Sequence, residues 1–289
     1  MRKRTFSLFD AMCIAVMLLL IVATVYPFIY MIAVSFSEDV YVLKGQVSIW
    51  PKGFNVRMYE IVLTDPRIWS GYRNTVLYTV VGTAVSLSFT AMAAYALSKK
   101  NLLFHKQFTI LIVVTMFFGG GMIPTFLVVK SLGLVDTFWA MIFPGAISTW
   151  YLIMMRTFFA GLPQEMEEAG KLDGLNEIGL FLRLVLPLSK AVLATIGLFY
   201  AVGIWNNFYT PLIYLRNPDL VPLQVILRNI VLSGQMDLNG NHGLGKDRQI
   251  IEESLKYATI LVGTLPILVV YPFLQKYFVK GVTIGSLKG

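Results

Sequence analysis

The chain is poor in charge, in cysteine and in histidine. Of its 289 residues only 14% are Asp, Glu, Lys or Arg, while 56% are hydrophobic. A soluble domain carries about 25% charged residues and about 45–50% apolar ones. That deficit excludes an ordinary soluble globule and argues for an integral membrane protein. The single cysteine, Cys13, lies in an apolar run, so it forms no intramolecular disulfide and has no partners for a metal site. The two histidines, His105 and His242, are far apart, and no zinc constellation is visible. No nucleophile–base pair stands out, which argues against an enzyme. The net charge of +8 is not gathered into one patch. Its lysines and arginines flank apolar runs, which fits anionic membrane headgroups better than nucleic acid.

What is present is a series of long apolar runs. A hydrocarbon core about 30 Å thick needs roughly 20 apolar residues as a helix. Six segments qualify, over residues 11–35, 75–97, 108–129, 138–159, 191–214 and 257–278. The first follows Arg2-Lys3-Arg4 and is too long for the apolar core of a signal peptide, about 7–15 residues, so it reads as a retained span. Short connections set the orientation. Residues 98–107 carry Lys99, Lys100 and Lys106 and no acid, whereas Lys130 is balanced by Asp136 in residues 130–137. Both termini are therefore expected in the cytoplasm. The two long outer loops, about 36–74 and 215–256, are expected to form short helices or to receive a soluble partner. The expected fold is all-α and membrane-embedded: one permease domain over residues 1–289, with six spans and a cytoplasmic helix-turn-helix.

That helix-turn-helix is the polar island at residues 161–190. Pro163 suits a first helical turn, and Glu165, Glu167 and Glu168 suit its positive end. Gly174 suits a left-handed stop. A second short helix runs to Pro187, with Ile178, Phe181, Leu182 and Val185 at spacings of three and four that read as one face. Taken alone, such an island could also be an amphipathic segment resting on headgroups.

The stretch Glu168-Ala169-Gly170-Lys171-Leu172-Asp173-Gly174, followed by Leu184-Val185-Leu186-Pro187, resembles the EAA loop of ABC importer permeases. Spacing matches throughout; Gly170 replaces the second Ala of the motif and Leu184 replaces its Ile. Ala93-Ala94-Tyr95-Ala96-Leu97-Ser98-Lys99, Ile123-Pro124, Gly133-Leu134-Val135-Asp136-Thr137 and Phe143-Pro144-Gly145-Ala146 resemble the carbohydrate-uptake, maltose-transporter-like subfamily. So does the tail from Gln275 to Gly289. The variant here is most like permeases of complex-oligosaccharide importers, including lipoprotein-linked and pectin-fragment systems.

The resemblance implies a transport subunit of the bacterial cytoplasmic membrane that imports oligosaccharides by alternating access. Its implied partners are a second homologous permease, two ATPase subunits that carry ATP and Mg, and an extracytoplasmic sugar-binding protein. No cofactor is implied on this chain. The residues implied at the ATPase are Glu168, Ala169, Gly170, Leu172, Asp173, Gly174, Phe181, Leu184 and Pro187, with Leu175 as a further apolar knob. The tail residues Ser286, Leu287, Lys288 and Gly289 are implied to reach the same interface.

Other signals carry less. Trp205, Asn206, Asn207 and Tyr209 interrupt the fifth apolar run. Two adjacent amides are costly in lipid unless they face protein or water, so these are candidates for lining a pathway; an interfacial aromatic belt is the other reading. In related maltose importers the sugar site is chiefly in the partner permease. Gly119-Gly120-Gly121 reads first as close helix packing and second as an unwound point. Gly240 to Lys246 has phosphate-loop spacing, but Asp247 stands where Ser or Thr would hold magnesium. An ion-coupled secondary carrier is the rival function, and spans almost free of ionisable residues argue against it.

Overall fold

The structure, a computed structural model, describes residues 7–99, 101–233, 254–269 and 271–272. The Gly240–Lys246 segment, the end of the sixth predicted span and the tail Ser286–Gly289 lie outside the described residues. Every regular element among the described residues is helical, apart from one isolated bridge between Ser37 and Phe54. The chain divides into two compact units. One holds residues 1–68 and 227–266, the other residues 69–226 and 267–289.

In the first unit, α1 (Leu8–Ser35) starts at a capping box. Ser7 Oγ accepts the Phe9 N–H, and the Asp10 carboxylate accepts the Ser7 N–H. The mean hydropathy of 2.6 over 18 of its residues and its almost wholly exposed middle suit a lipid-facing span. Only its last residues, Ala33, Val34 and Ser35, are buried. There the chain folds back. Ser35 shares a 2.7 Å hydrogen bond with the Tyr59 hydroxyl, and Ser37 Oγ accepts the Lys52 N–H at 3.0 Å. Phe36 stacks between Phe54 and Tyr59. The first long loop thus holds two short helices, α2 (Asp39–Leu43) and α3 (Arg57–Thr64).

The second unit is built on α4, a helix over Pro66–Ser98 whose residues from Trp69 on belong here. After it come α5 (His105–Phe117), α6 (Met122–Ser131), two short 3-10 turns over Phe138–Gly145, and α7 (Thr149–Ala160). Next are α8 (Gln164–Leu172), α9 (Glu177–Leu188), α10 (Lys190–Trp205), α11 (Tyr209–Tyr214) and α12 (Leu223–Ser233). A further helix, α13, covers Ser254–Val269; its residues up to Pro266, and those of α12 from Leu227 on, belong to the first unit.

The main core joins α4, α7, α9 and α10 through Ala91, Ala94, Leu152, Met155, Val185 and Ile196. Small residues set the approach: a Cβ on Gly82 would meet Ile204 Cδ1 at 2.9 Å. Within this core two buried hydroxyls are paired. Tyr200 shares a 2.7 Å hydrogen bond with Thr90 and accepts the Ser148 N–H at 2.9 Å.

Three of the predicted spans are not single helices. The third, 108–129, is broken between α5 and α6, whose axes differ by 116°. The break is the Gly119-Gly120-Gly121 run. Consecutive glycines lose about 1 kcal/mol each against Ala in a helix, and Gly121 takes φ +81°. A Cβ on Gly119 or Gly121 would meet nothing within 4 Å. The close-packing reading of these glycines is therefore corrected to an unwound point. The fourth span, 138–159, bends by 55° between the 3-10 turns around Pro144 and α7. The fifth, 191–214, stops at Trp205 and resumes as α11.

Candidate functional site

The polar island folds as a hairpin of α8 and α9. Pro163 is the residue that precedes α8, and Glu165 and Glu167 lie in its first turn. Its end is a Schellman turn. The Gly174 N–H donates to Lys171 O at 3.0 Å, and the Leu175 N–H donates to Gly170 O at 2.9 Å. Gly174 takes φ +79°, the left-handed conformation that glycine adopts without a Cβ clash. Asn176 then caps α9 by accepting the Gly179 N–H at 2.8 Å.

Residues Phe181–Val185 of α9 form a π-helical turn just before Pro187. Proline has no N–H for the carbonyl four residues back, and its ring crowds that carbonyl; a wider turn relieves both. The widening redistributes the side chains. The single face read from Ile178, Phe181, Leu182 and Val185 is corrected to two. Val185 is buried, and Phe181 packs on the Tyr95 ring at 5.0 Å. Ile178 and Leu182 point outward, 68% and 54% exposed.

The residues expected at a partner surface separate in the same way. Leu172 is 89% exposed. Glu168, Ala169, Asp173, Gly174 and Pro187 are also exposed. Phe181 and Leu184 are partly covered, as is Leu175. Gly170 is buried: a Cβ there would meet Leu180 Cδ2 at 2.5 Å and Leu184 Cδ1 at 2.7 Å. The two departures from the EAA motif, at 170 and 184, are therefore fitted to each other. Ile178 and Leu182 were missed as surface residues, because uniform helical spacing placed them with the buried set.

A consequence is testable. Gly170→Ala should destabilise the hairpin by about 1–3 kcal/mol through overpacking. Leu184→Ile in that background should recover part of the loss, since the branch moves from Cγ to Cβ. Thermal unfolding of the solubilised protein reads both; equal losses in the single and double variants would rule out the fitted pair.

Charged groups fasten the hairpin to the end of α4, a contact the sequence reading missed although Lys99 directly follows the apolar run. The Lys99 ammonium pairs with Glu167, lies 3.9 Å from Glu177, and sits 4.3 Å above the Tyr95 ring. The Tyr95 hydroxyl donates to Glu177 at 2.9 Å, and Lys171 pairs with Glu177 at 3.1 Å. The hydrogen bond from Lys171, then that from Tyr95, holds the Glu177 carboxyl below its usual range. Glu177 in turn raises the Lys171 ammonium. For a lowered carboxyl the stabilisation is present above the ordinary carboxylate pKa and is lost as pH falls through the folded value. For the raised lysine it is present below the ordinary ammonium pKa and is lost as pH rises through the folded value. Both ties are thus intact near neutrality. Beside them, Arg156 Nε donates to the Leu97 carbonyl at 3.0 Å, a cation at the end of α4 where the helix dipole favours it.

The interrupted fifth run lies by a cavity of about 350 Å³. Ser86, Thr125, Tyr151, Tyr200, Asn207 and Thr210 are among its lining residues. Asn207 both faces this space and bonds the first turn of α11, accepting the Thr210 N–H at 3.1 Å and donating to Thr210 Oγ1 at 2.9 Å. Trp205, Asn206 and Tyr209 do not line it. Asn206 Nδ2 turns back to the Val202 carbonyl at 3.0 Å, and Tyr209 donates to Met122 Sδ at 2.9 Å.

Residues 68–284 match the family described as binding-protein-dependent transport system inner membrane component. The chain is 46% identical over 267 residues to Protein LplC of Bacillus subtilis (strain 168), covering 92% of this chain and 90% of that one. It is 42% identical over 282 residues to the polygalacturonan/rhamnogalacturonan transport system permease protein YtcP of the same organism, covering 98% and 99%. Among solved structures it is similar to a chain of a bacterial ABC transporter involved in the import of the acidic polysaccharide alginate. That match has a TM-score of 0.86 at 32% identity, and it covers 96% of this chain and 99% of the other.

Proposed function

The chain belongs to the family of binding-protein-dependent transport system inner membrane components, and on that premise we propose that it is the permease subunit of an ATP-driven importer of oligosaccharides. It is a transport subunit and not an enzyme, as its named relatives are permeases or parts of an importer. ATP and Mg belong to two partner ATPase subunits. A second homologous permease completes the membrane unit, and an extracytoplasmic binding protein delivers the sugar. Fragments of acidic polysaccharides are the first substrates to try, because two of the relatives named above handle polygalacturonan and alginate.

The observation that carries this reading is the hairpin of α8 and α9. It lies between apolar segments and presents Leu172, Ile178 and Leu182 outward, beside the exposed carboxylates Glu168 and Asp173. Such a surface suits a groove on an ATPase with apolar walls and a basic rim. The exposed Pro187 follows the π-helical turn that includes Leu182. The tail Ser286–Gly289 is read as a second ATPase contact. Six spans follow if α1, α4, α5 with α6, the 3-10 turns with α7, α10 with α11, and α13 count as one apiece. The lysines of residues 98–107 then set both termini in the cytoplasm. All six belong to one permease domain over residues 1–289.

ATP-loaded vesicles holding the complete complex should take up labelled oligogalacturonate in the presence of an uncoupler. Uptake abolished by the uncoupler, with ATP intact, would restore the ion-coupled carrier as the better reading; family membership argues against it.

Asn207 is read as part of the sugar's path, with Trp205, Asn206 and Tyr209 framing the break in the helix. In a Cys13-free background, Asn207→Cys should react with a small aqueous thiol reagent, and substrate should slow the reaction. Absence of labelling in every transport state would remove the cavity from the path.

A further inference from the structure

α4 is longer than a membrane crossing requires. Its 33 residues at 1.5 Å each make a rod of about 50 Å, against about 30 Å of hydrocarbon. Side chains tie each end of the rod to a loop. Near its start, Asn74 Nδ2 donates to the carbonyls of Asp219 at 2.7 Å and Val221 at 3.1 Å. The Tyr78 hydroxyl donates to Leu220 O at 2.8 Å, and Thr75 Oγ1 accepts the Leu223 N–H at 2.9 Å. The loop between α11 and α12 is thus held by its own backbone, independent of its side chains. Asp136 holds the earlier part of that loop, accepting the N–H groups of Arg216 and Asn217 at 2.9 and 2.8 Å. At the far end, Lys99 and Tyr95 grip Glu167 and Glu177 of the hairpin.

The neighbouring routes are interrupted. α5 and α6 differ in direction by 116°, the 3-10 turns and α7 by 55°, and α9 and α10 by 82°. Bends at glycine runs and helix ends absorb displacement, whereas an unbroken helix passes it on. We propose that α4 is the mechanical link between the 215–222 loop and the ATPase-facing hairpin, with Asn74 and Tyr78 as positioning residues at one end and Lys99 at the other. The inference rests on the transport reading above. It adds where, within this chain, arrival of the loaded binding protein at the outer loops is communicated to the hairpin. Because coupling between sites is reciprocal, hairpin movement on ATP binding reaches the outer loop by the same helix.

The test uses the complete complex in vesicles, with ATPase rate measured with and without the sugar-loaded binding protein. Lys99→Met, and the pair Asn74→Ala with Tyr78→Phe, should each leave the basal rate unchanged. Each should lose about tenfold of the stimulation, within the 5–150-fold typical of coupled sites. Lys99→Arg should keep the stimulation. Glu167→Gln with Glu177→Gln cuts the same ties from the hairpin side and should show the same loss, which guards against a Lys99 variant that fails to assemble. Combining both ends should lose no more than the worse end alone, since both cut one link. Undiminished stimulation in either set, or losses that multiply on combination, would overturn the link. Variants that behave as wild type in a complex that transports overturn the link alone. A wild-type complex without ATP-driven uptake overturns the transport reading beneath it.

Discussion

Gly174→Asp is expected to lower ATP-driven uptake at least about a hundredfold while leaving membrane insertion intact. Two effects add. Gly174 sits at φ +79°, and a residue with a Cβ loses roughly 1–2 kcal/mol in the left-handed region. A Cβ there would meet nothing of this chain within 4 Å, so no clash arises within the chain. If the hairpin docks on the ATPase as proposed, the aspartate meets that partner, and a disturbed hot spot costs on the order of 2 kcal/mol or more. About 1.4 kcal/mol is tenfold, which gives the hundredfold. Two companions separate the terms. Gly174→Ala carries the backbone strain with little bulk and should lose about tenfold. Gly174→Asn, whose side chain tolerates the left-handed region, should lose association through bulk alone. Co-purification of the ATPase and vesicle uptake read all three. Wild-type uptake by an assembled Gly174→Asp complex would remove the turn from the coupling surface.

The hairpin was legible because its signals are local. Gly174 at a helix end and Glu165 and Glu167 after Pro163 each act within one turn of chain, and the structure places each where the spacing puts it. The all-helical fold was legible from composition, since long apolar runs leave the backbone no other partner in lipid than itself. What spacing did not reveal depends on contacts far apart in sequence or on departures from the regular helix. The grip of Lys99 on Glu167 and Glu177 joins segments about seventy to eighty residues apart, and nothing near Lys99 names its partners. The 116° break at Gly119–Gly121 needed the knowledge that no neighbour packs on Gly119 or Gly121. The fifth run's adjacent amides were read as a pair facing water; in the structure Asn207 bonds the first turn of the next helix beside a cavity while Asn206 bonds its own helix. Both satisfy the same requirement, that an amide in apolar surroundings find a partner, by different routes.

The π-helical turn at Phe181–Val185 has the sharpest consequence, because it exchanges two neighbours that share a helical spacing. Phe181 lies inward on Tyr95 at 5.0 Å, and Ile178 lies outward at 68% exposure. Phe181→Ala should therefore act on stability. Complete loss of a buried phenyl costs about 3–5 kcal/mol, and this half-covered ring should fall below that range, seen as a lower unfolding temperature of the isolated permease. Its residual folded population should still bind the ATPase. Ile178→Asp should do the opposite. The free protein loses little, since an exposed residue away from special contacts changes stability by about 0.5 kcal/mol or less. The docked complex must desolvate a carboxylate in place of an apolar knob, a hot-spot loss of about 2 kcal/mol or more, or at least about thirtyfold in ATPase association. Leu172→Asp, at 89% exposure, should behave as Ile178→Asp does. Unfolding temperature and ATPase co-purification measured on the same preparations decide it. If Ile178→Asp lowers the unfolding temperature while Phe181→Ala lowers only ATPase binding, the two faces of α9 are the reverse of those described, and the regular helical spacing holds after all.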